Sequence, residues 1–143
     1  MLLDSLYFIL GSIIGSFLNV LIYRLPINES IVIPRSYCPQ CKSTIPFYRN
    51  IPLLSFILQK GKCTDCKTQI SFQYPIVEFI SGFFWYWGFS HYIIPEAFLF
   101  VWISSILLVI SMIDHRTFII PLSLVILSII GLVVYNFFHP DVI

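Results

Sequence analysis

Between Asp4 and Arg24 the chain carries no charged side chain. As a helix rising 1.5 Å per residue, that stretch reaches across a hydrocarbon core of about 30 Å. It begins beside an acid and ends on a base, the reverse of a cleavable signal peptide, so it reads as a retained helix with its amino end outside. Further apolar runs occupy Tyr74 to about His91, then Pro95 and Glu96 (a first-turn Pro and a dipole-complementing acid) to about Ile113, and Phe118 to Phe138. The chain is 58 % hydrophobic and only 10 % charged, whereas soluble domains are about a quarter charged. A water-soluble globule is thereby excluded. The expected fold class is an all-α integral membrane protein in a lipid bilayer, with about four transmembrane helices, both termini outside and one cytoplasmic zinc-ribbon-like loop. The expected division is helix 1 over 1–23, a four-cysteine loop over 24–74 and the remaining helices over 75–143. No internal repeat or low-complexity segment is read.

The loop carries the polar chemistry. Seven of the eight basic residues lie in it (Arg24, Arg35, Lys42, Arg49, Lys60, Lys62, Lys67), and only Arg116 lies elsewhere. The positive-inside rule sets it in the cytoplasm. Its charges are spread out and interrupted by Glu29 and Asp65, a poor pattern for nucleic acid. Pro34, Pro39, Pro46 and Pro52 recur too often for long helices, so short ribbon-like strands are expected. Ile51 to Leu58 is apolar but too short to cross, and is expected against the bilayer surface or over the cysteines.

All four cysteines fall in this loop as Cys38-Pro39-Gln40-Cys41 and Cys63-Thr64-Asp65-Cys66. Two such knuckles about twenty residues apart present four soft sulfur ligands to one tetrahedral ion, and Zn2+ suits that set. The neighbouring lysines favour thiolates. Structural disulfides conflict with a reducing compartment, and a thiol redox pair would want a βαβ setting that the sequence does not offer. Four thiolates leave no open position for substrate, so such an ion is structural.

Two polar groups fall within the apolar runs. Asn19 extends the small-residue stripe of Gly11 and Gly15, where close helix packing is the default expectation. Glu78 lies about a turn inside its helix's cytoplasmic end, where it either snorkels to the interface or does functional work.

The segments Gly11 to Pro26 (GSIIGSFLNVLIYRLP), Arg35 to Ile45 (RSYCPQCKSTI), Asn50 to Ser55 (NIPLLS) and Gly61 to Gly82 (GKCTDCKTQISFQYPIVEFISG) together resemble the prepilin leader peptidases, bifunctional membrane enzymes that also methylate the new amino terminus. Asp114-His115-Arg116-Thr117-Phe118-Ile119-Ile120-Pro121 is similar to the family's first catalytic aspartate motif. The resemblance implies cleavage of a basic leader from prepilin or pseudopilin precursors at the cytoplasmic face, followed by N-methylation from S-adenosylmethionine. It implies Asp114 as one of two carboxylates sharing a proton. Read without the resemblance, Asp114 is an interfacial acid paired with Arg116 or capping the next helix. The family's second aspartate, in Gly-x-Gly-Asp, has no counterpart here, and Asp141 lacks the glycines and falls on the expected outer side. No glycine-rich nucleotide turn is present. Glu78 and Asn19 are therefore the polar groups expected to contribute to a methyl-donor site. The competing expectation is a truncated, non-catalytic zinc protein that binds prepilin or an assembly partner. A membrane thiol oxidoreductase is a third. The sequence leaves the oligomeric state open.

Overall fold

The computed structural model describes residues 2–33 and 35–139. Among these residues it is all-helical, with four main helices and a short one: α1 (Leu2–Arg24), α2 (Leu54–Leu58), α3 (Gln73–His91), α4 (Ile94–Thr117) and α5 (Leu122–Phe138). Pro34 and Asp141 lie outside the described residues.

α1 and α3 make the closest pair, running antiparallel because small residues remove the bulk between them. A Cβ on Gly15 would sit 2.7 Å from Glu78 Cα, one on Gly11 2.5 Å from Trp85 Cβ, and one on Gly82 2.5 Å from Ser12 Oγ. Ser81 Oγ donates to the Gly11 carbonyl at 2.8 Å, and Asn19 Nδ2 to that of Tyr74 at 3.1 Å. The glycine stripe is a packing surface, and Asn19 fastens it by a hydrogen bond across the contact.

α4 packs on this pair, with Gly88 of α3 against Phe100 and Val101. Leu18, Ile22, Val77, Ile106, Val109, Ile113 and Leu124 form the shared core toward the end where the loop attaches. α5 is tied to α4 by Trp102, whose indole donates to the Leu127 carbonyl at 3.3 Å and fills the space left by Gly131. Outward-facing Ile9, Ile13, Leu107, Ile129 and Val133 are exposed, as residues facing hydrocarbon would be.

Two helical segments, Leu2–Ile27 and Ile94–Thr117, are long and apolar enough to cross a membrane; α5 is apolar but shorter at 17 residues. α3 has 19 residues, but Gln73, Glu78 and its Tyr, Trp and His side chains dilute its hydropathy. α4 also runs a turn past the expected stop at Ile113. His115 and Arg116 sit in that last turn, where cations suit the dipole. The helix ends at Phe118, whose left-handed backbone (φ 53°) returns its N–H to the Asp114 carbonyl.

Candidate functional site

Arg24 starts the loop. Its guanidinium is buried, donating to the carbonyls of Ser30 (2.7 Å) and Arg35 (3.3 Å) and lying over the Tyr37 ring. Tyr37 in turn donates to Glu29. A basic residue at the end of α1 thus anchors the backbone at Ser30 and at Arg35.

The two cysteine knuckles that follow are copies of one another. In the first, Lys42 N–H donates to the Cys38 carbonyl, Cys38 N–H to Ser43 and Ile45 N–H to Ser36. In the second, Lys67 donates to Cys63, Cys63 to Thr68 and Ile70 to Gly61. Lys42 and Lys67 both adopt the left-handed conformation, at φ 58° and 61°. The expected strands reduce to single antiparallel bridges, Tyr37 with Thr44 and Lys62 with Gln69. This duplication is the repeat that the sequence reading missed. Its signal is C-x-x-C-K-[ST]-x-I, present at Cys38 to Ile45 and again at Cys63 to Ile70. Lys42 and Lys67 thus shape the knuckles through their backbones.

The knuckles face each other. Cys38 Sγ lies 3.8 Å from Cys66 Sγ and Cys41 Sγ 4.0 Å from Cys63 Sγ, and all four sulfurs fall within 4.8 Å of one another. A tetrahedral ion with bonds of about 2.3 Å to sulfur separates its ligands by about 3.8 Å, so the donor set fits a metal ion. All four cysteines are free. Burial pushes the Cys38 thiol up to about 11. By contrast, the Thr68 hydroxyl 3.2 Å from Cys66 Sγ, hydrogen-bonding to the thiolate, brings that thiol down to about 6. The Ser43 hydroxyl lowers Cys41 in the same way.

Between this centre and the ends of α1 and α3 lies a cleft of about 320 Å³. Asn19, Tyr23, Tyr74, Glu78 and Arg116 line its helical side, and Cys38, Cys63, Arg49 and Asp65 its loop side. Arg49 braces the loop, donating to Thr64 Oγ1 at 2.8 Å and pairing with Asp65 at 3.8 Å. Asn19 and Glu78 are nearly buried, at 2 % and 7 % exposure. Glu78 Oε2 accepts the Leu53 N–H at 2.8 Å, which holds the Asn50–Ser55 turn against α3 although Leu53 sits at φ 60°. Asn19 Oδ1 has no partner among the described residues. The cleft is large enough for a small organic ligand, and the unpartnered Asn19 Oδ1 leaves a hydrogen-bond acceptor in its lining.

Asp114 lies in the last turn of α4, at the same end of the bundle, and is exposed. Its carboxylate has no hydrogen-bond or ion-pair partner among the described residues, Arg116 included, and it is not part of the cleft lining. The apolar side chains of α2, Leu54, Ile57 and Leu58, point outward beside the cleft.

Comparison with known proteins meets this geometry at its centre. A family described as Bacterial Peptidase A24 N-terminal domain matches residues 9–92, more than half of the chain, from α1 through both knuckles to the end of α3. The chain belongs to this family. Its relatives include proteins named prepilin leader peptidase/N-methyltransferase. Those of Myxococcus xanthus, Bacillus subtilis and Stutzerimonas stutzeri are 39 %, 40 % and 35 % identical over 82 %, 82 % and 90 % of this chain. The matches cover 35 %, 48 % and 53 % of those relatives, so the chain spans between a third and about half of their length. No solved structure matches it. Every side chain that builds the A24 N-terminal cleft, Arg116 excepted, lies within the matched residues.

Proposed function

We propose that this chain is the methyl-transferring, metal-stapled part of a prepilin leader peptidase/N-methyltransferase, carrying in addition the first peptidase aspartate. One observation supports it above others. Asn19 and Glu78 come from different helices, yet they line one cleft with the thiolate loop, at the bundle end that bears Asp114. In this reading the protein crosses the cell membrane four times with its loop in the cytoplasm, where seven basic residues gather.

Cys38, Cys41, Cys63 and Cys66 hold Zn2+, which supplies a crosslink between the knuckles. The cleft holds S-adenosylmethionine, which when bound supplies an electrophilic methyl group. Asn19 offers its buried carbonyl oxygen to a donor on that ligand, and the loop excludes water. Glu78 faces the positively charged groups of the reaction and takes the proton that a substrate ammonium must lose before its nitrogen can attack. Asp114 contributes one carboxylate to leader cleavage, polarising the scissile carbonyl or activating water with a second acid. The substrates are prepilin-like precursors.

The test uses this chain in bilayers, a synthetic prepilin, its pre-cleaved form and labelled methyl donor. Label on the pre-cleaved peptide, lost with Glu78→Ala and kept with Asp114→Asn, is the expected result. Absence of label from the wild-type chain, with the donor's binding to the cleft also absent, overturns the reading in favour of a zinc protein that only binds its partner.

A further inference from the structure

Three arginines line the polar cleft between the loop and the helix ends: Arg24, Arg49 and Arg116. Two of them hold the protein itself together. Arg24 is 4 % exposed and donates to the carbonyls of Ser30 and Arg35, while Arg49 donates to Thr64 Oγ1 and pairs with Asp65. Arg116 differs. It stands exposed in the last turn of α4, and no hydrogen bond or ion pair engages its guanidinium among the described residues. Asp114 does not neutralise it, because two residues turn an α-helix by about 200° and Asp114 lies outside the cleft lining.

Asn19 supplies a second, independent observation. Its side chain is 2 % exposed, its Nδ2 donates to the Gly15 and Tyr74 carbonyls, and its Oδ1 has no partner. A buried acceptor without a donor is unfavourable, and a ligand N–H would relieve it. Tyr74 links the two groups, since its carbonyl accepts from Asn19 and its hydroxyl feels the charge of Arg116. One cleft thus presents a cation without an anion and an acceptor without a donor.

We propose that Arg116 binds the carboxylate of the cleft's ligand while Asn19 Oδ1 accepts from its amine, so that the cleft selects that ligand by an α-amino-acid end. The identity of the ligand as the methyl donor rests on the functional reading above. The pairing rests on the two unmet groups. A planar guanidinium meets a carboxylate through two parallel hydrogen bonds, which fixes the ligand's orientation as well as its charge. A lipid phosphate fits less well, because Arg116 shares its cavity with buried Asn19 and the loop and not with the exposed apolar side chains of α4, Phe98 and Leu107. The pairing also ties α4 to the cleft. Phe118 N–H closes the last turn on the Asp114 carbonyl at 2.9 Å, so a ligand held by Arg116 steadies the turn that bears Asp114.

The experiment uses the whole zinc-loaded chain in nanodiscs of neutral phosphatidylcholine. Its probes are S-adenosylhomocysteine, which has no methyl group to give, and the decarboxylated counterpart, which keeps the adenosine and the amine. Calorimetry should show wild type binding the first about tenfold more tightly than the second. Arg116→Gln should bind both as weakly as wild type binds the decarboxylated compound, and Arg116→Lys should recover part of the difference. Hydrogen exchange supplies a readout that a merely structural arginine would not move. The Phe118 amide should exchange several-fold more slowly with S-adenosylhomocysteine bound, but not with the decarboxylated compound and not in Arg116→Gln. Equal affinities in wild type, a difference that survives Arg116→Gln, or an equal loss of both ligands in that variant each overturn the proposal. So does a difference that vanishes when anionic phosphatidylglycerol is added to the nanodiscs, which would assign Arg116 to headgroups. Binding of neither compound to wild type overturns the functional reading as well, whereas the other adverse outcomes leave that reading standing.

Discussion

At the scale of single residues, Glu78 has a structural duty alongside the chemical one proposed for it. It is the acceptor for the Leu53 N–H, and Leu53 sits at a positive φ of 60°, disfavoured for a branched aliphatic residue. Glu78→Ala leaves that donor unpaired, which costs about 1–3 kcal/mol. Trypsin should then cut the loop at Arg49 and Lys60 several-fold faster, while Glu78→Gln, which keeps an acceptor oxygen, should stay near wild type. Equal digestion of all three proteins would show that the contact does not hold the turn. The thiols carry a separate prediction. Burial raises the Cys38 thiol while the Thr68 hydroxyl lowers Cys66, and a metal ligand must be a thiolate. Loading with zinc should therefore release protons into weak buffer, and occupancy should decline as acid reprotonates the sulfurs. Loading without proton release would argue against four-thiolate ligation.

At the scale of elements, the α1 and α3 contact is where a small change should do most. A Cβ at Gly15 meets the Glu78 backbone at 2.7 Å and the Val77 carbonyl at 3.1 Å, and neither can swing away as a side chain tip could. Gly15→Ala should lower stability in detergent by about 1–3 kcal/mol and weaken cleft binding as well, because it displaces the element that carries Glu78. A melting temperature unchanged by Gly15→Ala would mean that the helices are not this close. The glycine stripe was legible in the sequence because spacing by four residues fixes a face. So were the long helices, since hydrophobic runs follow from bilayer thickness. The α4 end was not, because His115 and Arg116 read as loop until the last-turn dipole and the left-handed Phe118 are seen together. Nor was α2, whose five residues are too few for periodicity to register. Asn19 and Glu78 could be named as polar outliers, but that they share one cleft depends on the 48 residues between α1 and α3 bringing the two helices together, which no local pattern encodes. The knuckle repeat was legible and overlooked, since its two copies share cysteines, a lysine and an isoleucine but little else.

At the scale of the whole molecule, helix bundle and loop are stabilised by different means. The bundle has an apolar core from Leu18 to Leu124 and cross-helix hydrogen bonds. The loop has two bridges, a few side-chain contacts and four sulfurs within 4.8 Å, too little apolar surface to offset the entropy of ordering it. Metal ligation by the four cysteines, as proposed, would supply the missing crosslink. A chelator strong enough to strip zinc should therefore leave the far-ultraviolet helix signal nearly intact while making residues 35–70 protease-sensitive. Replacing Cys38 and Cys66 with Ser should reproduce that state without chelator. Because the cleft is half helix and half loop, methyl-donor binding should disappear in the same titration and return with zinc. The helix signal and the loop's protease resistance falling together would show one cooperative unit instead of two, and the metal would then be holding the bundle as well as the loop.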